Sequence, residues 1–118
     1  MKSVTKIIFT DDDGNKFFGE GPMQLLRAIE RTGSLRSAAM EMEMAYSKAW
    51  RIIRTAEEVF GCKLLSSTIG GQHGGGAVLT PQAEQLLAAY RAYESDVKAY
   101  SQAKFNEAFD FYKDLDKT

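Results

Sequence analysis

Five glycines fall within the seven residues 70–76, and this segment restricts the possible folds more than any other part of the sequence. Because glycine loses the most conformational freedom on ordering and buries no side chain, such a segment is not core and indicates a flexible tip. Short apolar runs stand on either side of it, Leu64–Leu65 and Ala77–Leu79. The pattern therefore predicts two short strands joined by a glycine-rich tip, which is a β-hairpin of the kind called a wing.

A long helix is predicted directly after this wing. Thr80 can cap its first turn, Pro81 suits the first helical position, and Glu84 lies near the positive end of the helix dipole. Apolar residues then recur at alternating spacings of four and three, as in a coiled coil. They are Leu79, Ala83, Leu86, Tyr90, Tyr93, Val97 and Tyr100.

A single 13.1 kDa chain has little core against which to bury this stripe. We therefore expect a homodimer that is held by Leu86, Tyr90, Tyr93, Val97 and Tyr100. The alternative is that the end of the chain folds back onto its own domain. Lys104 breaks the register, which resumes one residue later at Phe105, so we expect a rotated face, a kink or a second helix there.

Ahead of the wing, the sequence predicts a hairpin and three helices. Residues 4–9 and 16–18 are β-rich and flank a turn at Asp13-Gly14, although a disordered start followed by one strand is an alternative. Helical periodicity then follows Pro22 and stops at Gly33, resumes after a Ser34 cap, and runs a third time over residues 46–60. The predicted order is β-β-α-α-α-β-β-α.

The second and third of these helices fit a helix-turn-helix, the DNA-binding pair in which the second helix enters the major groove. The pair Ala38-Ala39 would let the helices cross closely, and Met44 supplies an apolar residue at the turn. The third helix should pack inward through Ala49, Trp50, Ile53, Ala56 and Phe60. It should present to DNA the polar and basic residues Tyr46, Ser47, Lys48, Arg51 and Arg54. An ordinary helical hairpin with a solvated basic face is the alternative.

Charge is distributed unevenly along the chain, although the net charge is only −1. Residues 27–54 carry six bases and three acids, a balance of +3, whereas residues 82–118 carry five bases and seven acids, a balance of −2. A dedicated nonspecific nucleic-acid binder would be strongly basic overall. The basic middle segment therefore favours DNA binding, and the whole-chain charge counts against it.

Three motifs, in order, resemble the N-terminal DNA-binding domain of the ModE-type molybdate-responsive regulators, whose fold is close to the winged domains of LysR-type regulators. They are AIxxTGSLxxAA, AYSKAWxxI and TIGGQHGGGAVLT, and the resemblance covers roughly residues 3–100. It implies a helix-turn-helix junction over residues 32–46, a recognition helix over 46–60 and a dimerisation helix from Thr80 onward. The expected fold is mainly α with small β, with residues 1–80 as the winged domain and 81–118 as the dimerisation helix.

The resemblance also implies which residues face double-stranded DNA. On the helices they are Ser34, Arg36, Tyr46, Ser47, Lys48, Arg51 and Arg54. On the wing, Gln72 and His73 would lie near a phosphate or the minor groove.

The sequence departs from the family pattern at the turn and at the wing. Glu43 stands where glycine is common, Ala45 where a serine cap is usual, and Ala83 where a glycine often follows the wing. Ser66-Ser67 replace a basic residue. Because ModE-type regulators bind molybdate through a separate C-terminal domain, no molybdate site is expected within these 118 residues.

No enzyme, cofactor or metal site is expected. The glycine-rich segment matches neither nucleotide-binding glycine motif, His73 has no ligand partners at metal spacing, and Asp11–Asp13 fits a solvated turn. Cys62 is expected to be core, and a single cysteine without an apolar run long enough for a membrane span fits a cytoplasmic protein. The predicted function is a dimeric DNA-binding transcriptional regulator, and the alternative is a winged-helix protein-interaction module that does not bind DNA.

Overall fold

The computed structural model describes residues 1–68 and 76–116 and confirms the predicted order of elements. The strands are β1 (Ile8–Thr10), β2 (Lys16–Gly19), β3 (Leu65–Thr68) and β4 (Gly76–Leu79). The helices are α1 (Glu20–Thr32), α2 (Leu35–Glu41), α3 (Tyr46–Phe60), α4 (Pro81–Ala108) and a 3₁₀ helix over Asp110–Asp114. The fold is mainly α with two small antiparallel sheets, as expected.

The N-terminal hairpin pairs β1 with β2, with Phe9 opposite Phe18. Its turn is fixed by the Asp11 carboxylate, which accepts the backbone N–H groups of Asp13 and Asn15 at 3.0 and 2.9 Å. These bonds lower the pKa of Asp11. The first strand begins at Ile8 and is therefore shorter than the predicted run from residue 4, because its last partner, Gly19, is followed at once by α1.

Local capping residues set three of the helix ends as the sequence predicts. Gly33 and Gly61 follow α1 and α3 in the left-handed region, each with φ of 74°. The Ser34 hydroxyl caps α2 by accepting the N–H of Ser37 at 3.1 Å. Glycine adopts the left-handed conformation at little cost because it has no Cβ. At these two positions the helices can therefore end in a conformation that would strain most other residues.

The core lies between α1, α3 and the base of the wing. Its largest fully buried side chains are Leu25, Leu26, Ile29, Ile53 and Leu64. The hairpin packs on α3 through aromatic rings, since the centroids of Phe17 and Phe18 lie 5.2 and 5.5 Å from that of Phe60. The hairpin is therefore a lateral support of the third helix.

The wing is an antiparallel pair in which Leu65 lies opposite Leu79. Its second strand is tied to the α1–α2 turn, because the N–H of Ala77 donates to the carbonyl of Gly33 at 2.9 Å. Thr80 closes its base: its hydroxyl donates to the carbonyl of Lys63 at 2.7 Å and accepts the N–H of Ala83 at 3.1 Å. This last bond is the predicted cap of α4.

Helix α4 is continuous through Lys104 and ends at Ala108. The break in its apolar register is therefore not a helix end. No helix within residues 1–68 and 76–116 is long and apolar enough to cross a membrane.

The chain forms two compact units, Ile8–Leu87 and a second made of Met1–Ile7 with the chain from Ala88 onward. In the second unit the N-terminal segment runs alongside α4. The N–H of Ser3 donates to Gln102 Oε1 at 3.0 Å, and the hydroxyls of Thr5 and Ser101 are 2.6 Å apart. No local pattern in the sequence indicates this pairing, because its partners are almost the whole chain apart.

Candidate nucleic-acid interface

Helices α2 and α3 pack closely because small residues meet between them. Ala38 and Ala39 on α2 are 0% and 2% exposed, and Ala49 on α3 is 0% exposed. Ile53 and Ala56 complete the buried face of α3. The predicted inner faces are confirmed at these positions, and the opposite face of α3 is left to solvent.

The turn between the two helices contains a strained residue. Glu43 has φ of 54°, the left-handed region that a non-glycine residue enters at a cost of about 1–2 kcal/mol. Backbone bonds hold it there, since the N–H of Glu43 donates to Met40 and the N–H of Met44 donates to Ala39. Met44 is half-buried at the turn. The Glu43 carboxylate is exposed beside the start of α3.

The recognition helix α3 begins without a side-chain cap. Ala45 occupies the capping position with φ of −64° and ψ of 143°, but its methyl group accepts no hydrogen bond. A serine or aspartate there would accept an N–H of the first turn. The backbone at this position is therefore shaped for a cap that the sequence does not supply.

Most of the predicted DNA-facing residues share an exposed surface on α2 and α3. Its exposed members are Arg36, Tyr46, Ser47, Lys48, Arg51 and Arg54. Ser34 differs from them, because it is half-buried and its hydroxyl oxygen already accepts the α2 capping bond. Gln72 and His73 lie outside the described residues.

The cations of this surface have no carboxylate partners within residues 1–68 and 76–116. Ion pairs there involve other bases, and none involves Arg36, Lys48, Arg51 or Arg54. In contrast, Arg31 is neutralised by Glu41, with Nη1 and Oε1 2.6 Å apart, and this pairing lowers the pKa of Glu41. The positive charge of the middle segment is thus concentrated on the exposed face of the helix pair.

Trp50 does not pack in the core, so that prediction is wrong. Its side chain is 41% exposed, and its indole Nε1–H donates to the Tyr46 hydroxyl at 3.0 Å. The guanidinium carbon of Arg36 lies 4.4 Å from the centroid of the Tyr46 ring. Since one residue turns an α-helix by about 100°, the position directly after buried Ala49 already indicates the edge of the buried face.

The hairpin brings another base to the same side of the molecule. A groove of about 440 Å³ lies between β2 and α3, and Lys16, Lys48 and Arg51 all line it. Its floor includes Phe17, Phe18 and Ile52, and Glu20 is its one acid. Sequence reasoning missed Lys16, because nothing in the local pattern places the hairpin beside α3.

The predicted dimerisation residues differ in how far the single chain already buries them. Tyr90 is 2% exposed, and its hydroxyl lies 3.5 Å from the carbonyl of Ile7. Leu86 and Val97 are half-buried, whereas Tyr93 and Tyr100 are 53% and 66% exposed. Of the five predicted dimerisation residues, the two tyrosines Tyr93 and Tyr100 are therefore the most exposed.

Among the described residues, no cluster of histidine, cysteine and carboxylate side chains could hold a metal ion. Cys62, which was expected to be core, is half-buried.

The chain is similar to several proteins of known type. Residues 22–84 match the family described as "Bacterial regulatory helix-turn-helix protein, lysR family". The "Molybdenum-pterin-binding protein MopB" of Rhodobacter capsulatus is 39% identical over 98 residues, which are 83% of this chain and 34% of that protein. The "DNA-binding transcriptional dual regulator ModE" of Escherichia coli K12 is 33% identical over 94 residues, 80% of this chain and 33% of that protein.

A solved structure shares the fold. The crystal structure of ArgP from Mycobacterium tuberculosis has a TM-score of 0.50 and 20% identity, covering 74% of this chain and 31% of that chain. The chain spans about a third of the length of the curated relatives it matches.

Proposed function

Because the chain belongs to the lysR family of bacterial regulatory helix-turn-helix proteins, we propose that it is the DNA-reading part of a dimeric transcriptional regulator. Relatives named ModE confirm the resemblance to the N-terminal domain of ModE-type regulators. In this proposal α3 enters the major groove of double-stranded DNA, and the wing follows the flanking backbone. A regulator of this kind acts in the cytoplasm.

The observation that carries the proposal is the unpaired positive charge on the exposed face of α2 and α3. Arg36, Lys48, Arg51 and Arg54 have no carboxylate partner among the described residues. Cations left unpaired in this way can replace the counterions of DNA phosphates, and arginine can also bind a guanine edge with two hydrogen bonds. The alternative, an ordinary helical hairpin with a solvated basic face, does not explain why α2 and α3 also pack through small residues and are joined by a left-handed turn residue.

We propose that the residues at the family's DNA-facing positions contact DNA in this chain. They are Ser34, Arg36, Tyr46, Ser47, Lys48, Arg51, Arg54, Gln72 and His73. Arg51 and Arg54 lie outward on the middle of α3, where they can reach a guanine edge or a phosphate. Ser47 and Lys48 lie at the N-terminal end, which enters the groove most deeply in helix-turn-helix complexes.

The proposed homodimer forms through α4, around Tyr93 and Tyr100 with the half-buried Leu86 and Val97. A two-fold dimer reads two related half-sites about 34 Å apart or a multiple of that distance. The names of two relatives mention molybdenum, and this describes those proteins only. We propose no molybdate site for residues 1–118.

Selection of bound fragments from the DNA of the source organism tests this function. The proposal expects enrichment of fragments that share an inverted repeat, and footprints on both half-sites. Arg51→Ala removes one proposed contact, so it should lower affinity about tenfold or more and reduce the enrichment, while leaving the dimer intact in light scattering. A stable dimer that enriches no fragment even at low salt would contradict DNA binding and favour a protein-interaction module.

A further inference from the structure

Trp50 lies at the edge of the DNA-facing surface and is only partly covered by the rest of the chain. It is the one tryptophan of the chain, and 41% of its surface is exposed. Exposing so large an apolar ring costs free energy that burial would have recovered. An exposed tryptophan beside unpaired cations is therefore more consistent with a binding surface than with packing.

Trp50 holds Tyr46 by a single hydrogen bond. The two residues are one helical turn apart, and the indole Nε1–H donates to the Tyr46 oxygen at 3.0 Å. A phenol hydroxyl can donate one proton while it accepts. Because Trp50 occupies an acceptor position of that oxygen, the Tyr46 O–H is directed away from the indole, where it can donate to an acceptor on DNA.

Tyr46 in turn supports Arg36 from the neighbouring helix. The guanidinium carbon is 4.4 Å from the ring centroid, within the range of a cation–π contact. A guanidinium that lies over a ring keeps its N–H donors at its edge, so it stays able to bind a phosphate. The same contact joins α2 to α3 on the outer surface, where the two helices would meet the DNA backbone.

We infer that Arg36, Tyr46 and Trp50 form one pre-organised phosphate-binding unit, in which Trp50 is a positioning residue that acts through Tyr46. The inference rests on the proposed function and deepens it, because it names how the α2 side of the interface meets DNA. The ligand is a phosphate oxygen of double-stranded DNA. Arg36 supplies the charge, Tyr46 supplies a hydroxyl donor and a ring, and Trp50 fixes the orientation of that hydroxyl.

Conservative variants of the whole chain test the unit against a duplex obtained by the fragment selection. Trp50→Phe keeps an aromatic ring but loses the donor, and Tyr46→Phe keeps the ring but loses the hydroxyl. Each should weaken DNA binding about threefold to tenfold, the effect of one neutral hydrogen bond. Combining them should cost little more than Tyr46→Phe alone, since both remove one interaction. Val59→Ala, an exposed apolar truncation on the same helix, should leave affinity unchanged.

Two further readouts separate positioning from a general loss of stability. Arg36→Gln should lower the slope of log affinity against log salt by about 0.9 for each subunit, or about 1.8 for the proposed dimer on two half-sites, because each copy loses one phosphate contact. The fluorescence of Trp50 in the unaltered chain should change on addition of the duplex, and this measurement needs no variant to fold.

The outcomes also distinguish this inference from the proposed function. Loss of affinity in both aromatic variants, together with a fluorescence change, supports the unit. If Arg51→Ala weakens binding while Trp50→Phe and the Trp50 emission show no effect, the inference fails and the proposed function stands. If the unaltered chain binds no duplex, the proposed function fails and the inference fails with it.

Discussion

At residue 43 the local sequence and the required backbone disagree. The turn of the helix-turn-helix needs a left-handed residue, and Glu43 adopts φ of 54° to provide it. Glycine or asparagine would enter this region with less strain. The carboxylate also adds negative charge close to the surface proposed to meet phosphates.

Replacing Glu43 separates strain from charge. Glu43→Asn should stabilise the fold by up to about 1 kcal/mol, because asparagine tolerates the left-handed region, and should also strengthen DNA binding. Glu43→Gln is the matched control, which should strengthen binding with no gain in stability. Urea unfolding and DNA titration measure the two effects. Equal affinity of Glu43→Gln and the unaltered chain would show that this carboxylate lies too far from DNA to repel it.

The helix-capping residues are predictable from the sequence, whereas the exposure of a side chain at the edge of the buried face is not. Gly33, Ser34 and Gly61 end or begin helices where expected, since a cap depends on a few neighbouring atoms. Trp50 was assigned to the core because of its apolar character. Its side chain instead lies about 100° around the helix from buried Ala49, where the indole N–H reaches the Tyr46 hydroxyl one turn away.

At the scale of elements, the aromatic contacts between hairpin and α3 extend the basic surface to Lys16. The recognition helix would then have bases on the hairpin side as well as on the α2 side. In a major groove, both sides of an inserted helix face a phosphate backbone. The hairpin is thus proposed to contribute to binding as well as to support α3.

Removing this base should therefore weaken DNA binding in a salt-dependent way. Lys16→Ala should reduce the slope of log affinity against log salt by about 0.9 for each bound subunit, or about 1.8 for the proposed dimer, and lower affinity similarly on specific and nonspecific duplexes. Lys6→Ala, which removes a lysine from the other compact unit, is the control and should change neither. An unchanged slope in Lys16→Ala would place the hairpin away from the DNA.

A second element-scale prediction concerns the junction of α1 with the start of α4. The pKa of the exposed Glu84 is raised because its carboxyl hydrogen-bonds that of Glu30, and partial desolvation and charge repulsion add to this effect. The folded chain then holds this proton more tightly than the unfolded chain does. The stabilisation is present at acid pH and is lost as the pH rises through the raised pKa.

Glu84→Gln should accordingly remove part of this pH dependence and raise stability relative to the unaltered chain near neutral pH. Glu30→Gln should act in the same direction, and the double variant should add little, since one pair is involved. Urea unfolding measured from acid to neutral pH provides the comparison. A fall in stability of Glu84→Gln with pH that matches the unaltered chain would show that the pair does not share a proton.

The order of elements and the two hairpins follow from periodicity and turn chemistry within short windows of sequence. The pairing of Met1–Ile7 with α4 does not, because Ser3 and Gln102 are almost the whole chain apart. The same limit explains the buried face of α4. Within the single chain, Leu87 is buried along with Ala83 and Tyr90, whereas Leu86 of the predicted stripe is half-buried, because neighbouring segments and not the heptad alone decide which side is covered.

At the scale of the whole molecule, the proposed binding to two half-sites requires a second copy of the chain. Tyr93 and Tyr100 expose 53% and 66% of their surface on one long helix. Introducing charge there, as Tyr93→Glu with Tyr100→Glu, should shift the protein toward monomer in light scattering and weaken binding to a two-half-site duplex. Glu107→Gln, an exposed change further along α4, should alter neither property. A double variant that stays dimeric would move the dimer contact elsewhere.

The central claim is that the unpaired bases of α2 and α3 bind DNA phosphates and bases. The most direct test is the affinity for the selected duplex as a function of salt, for the unaltered chain and for Arg51→Ala. A dimer with four such bases per subunit should give a slope of log affinity on log salt steeper than about −4, and Arg51→Ala should lower affinity about tenfold or more. A shallow slope that Arg51→Ala leaves unchanged would contradict the claim.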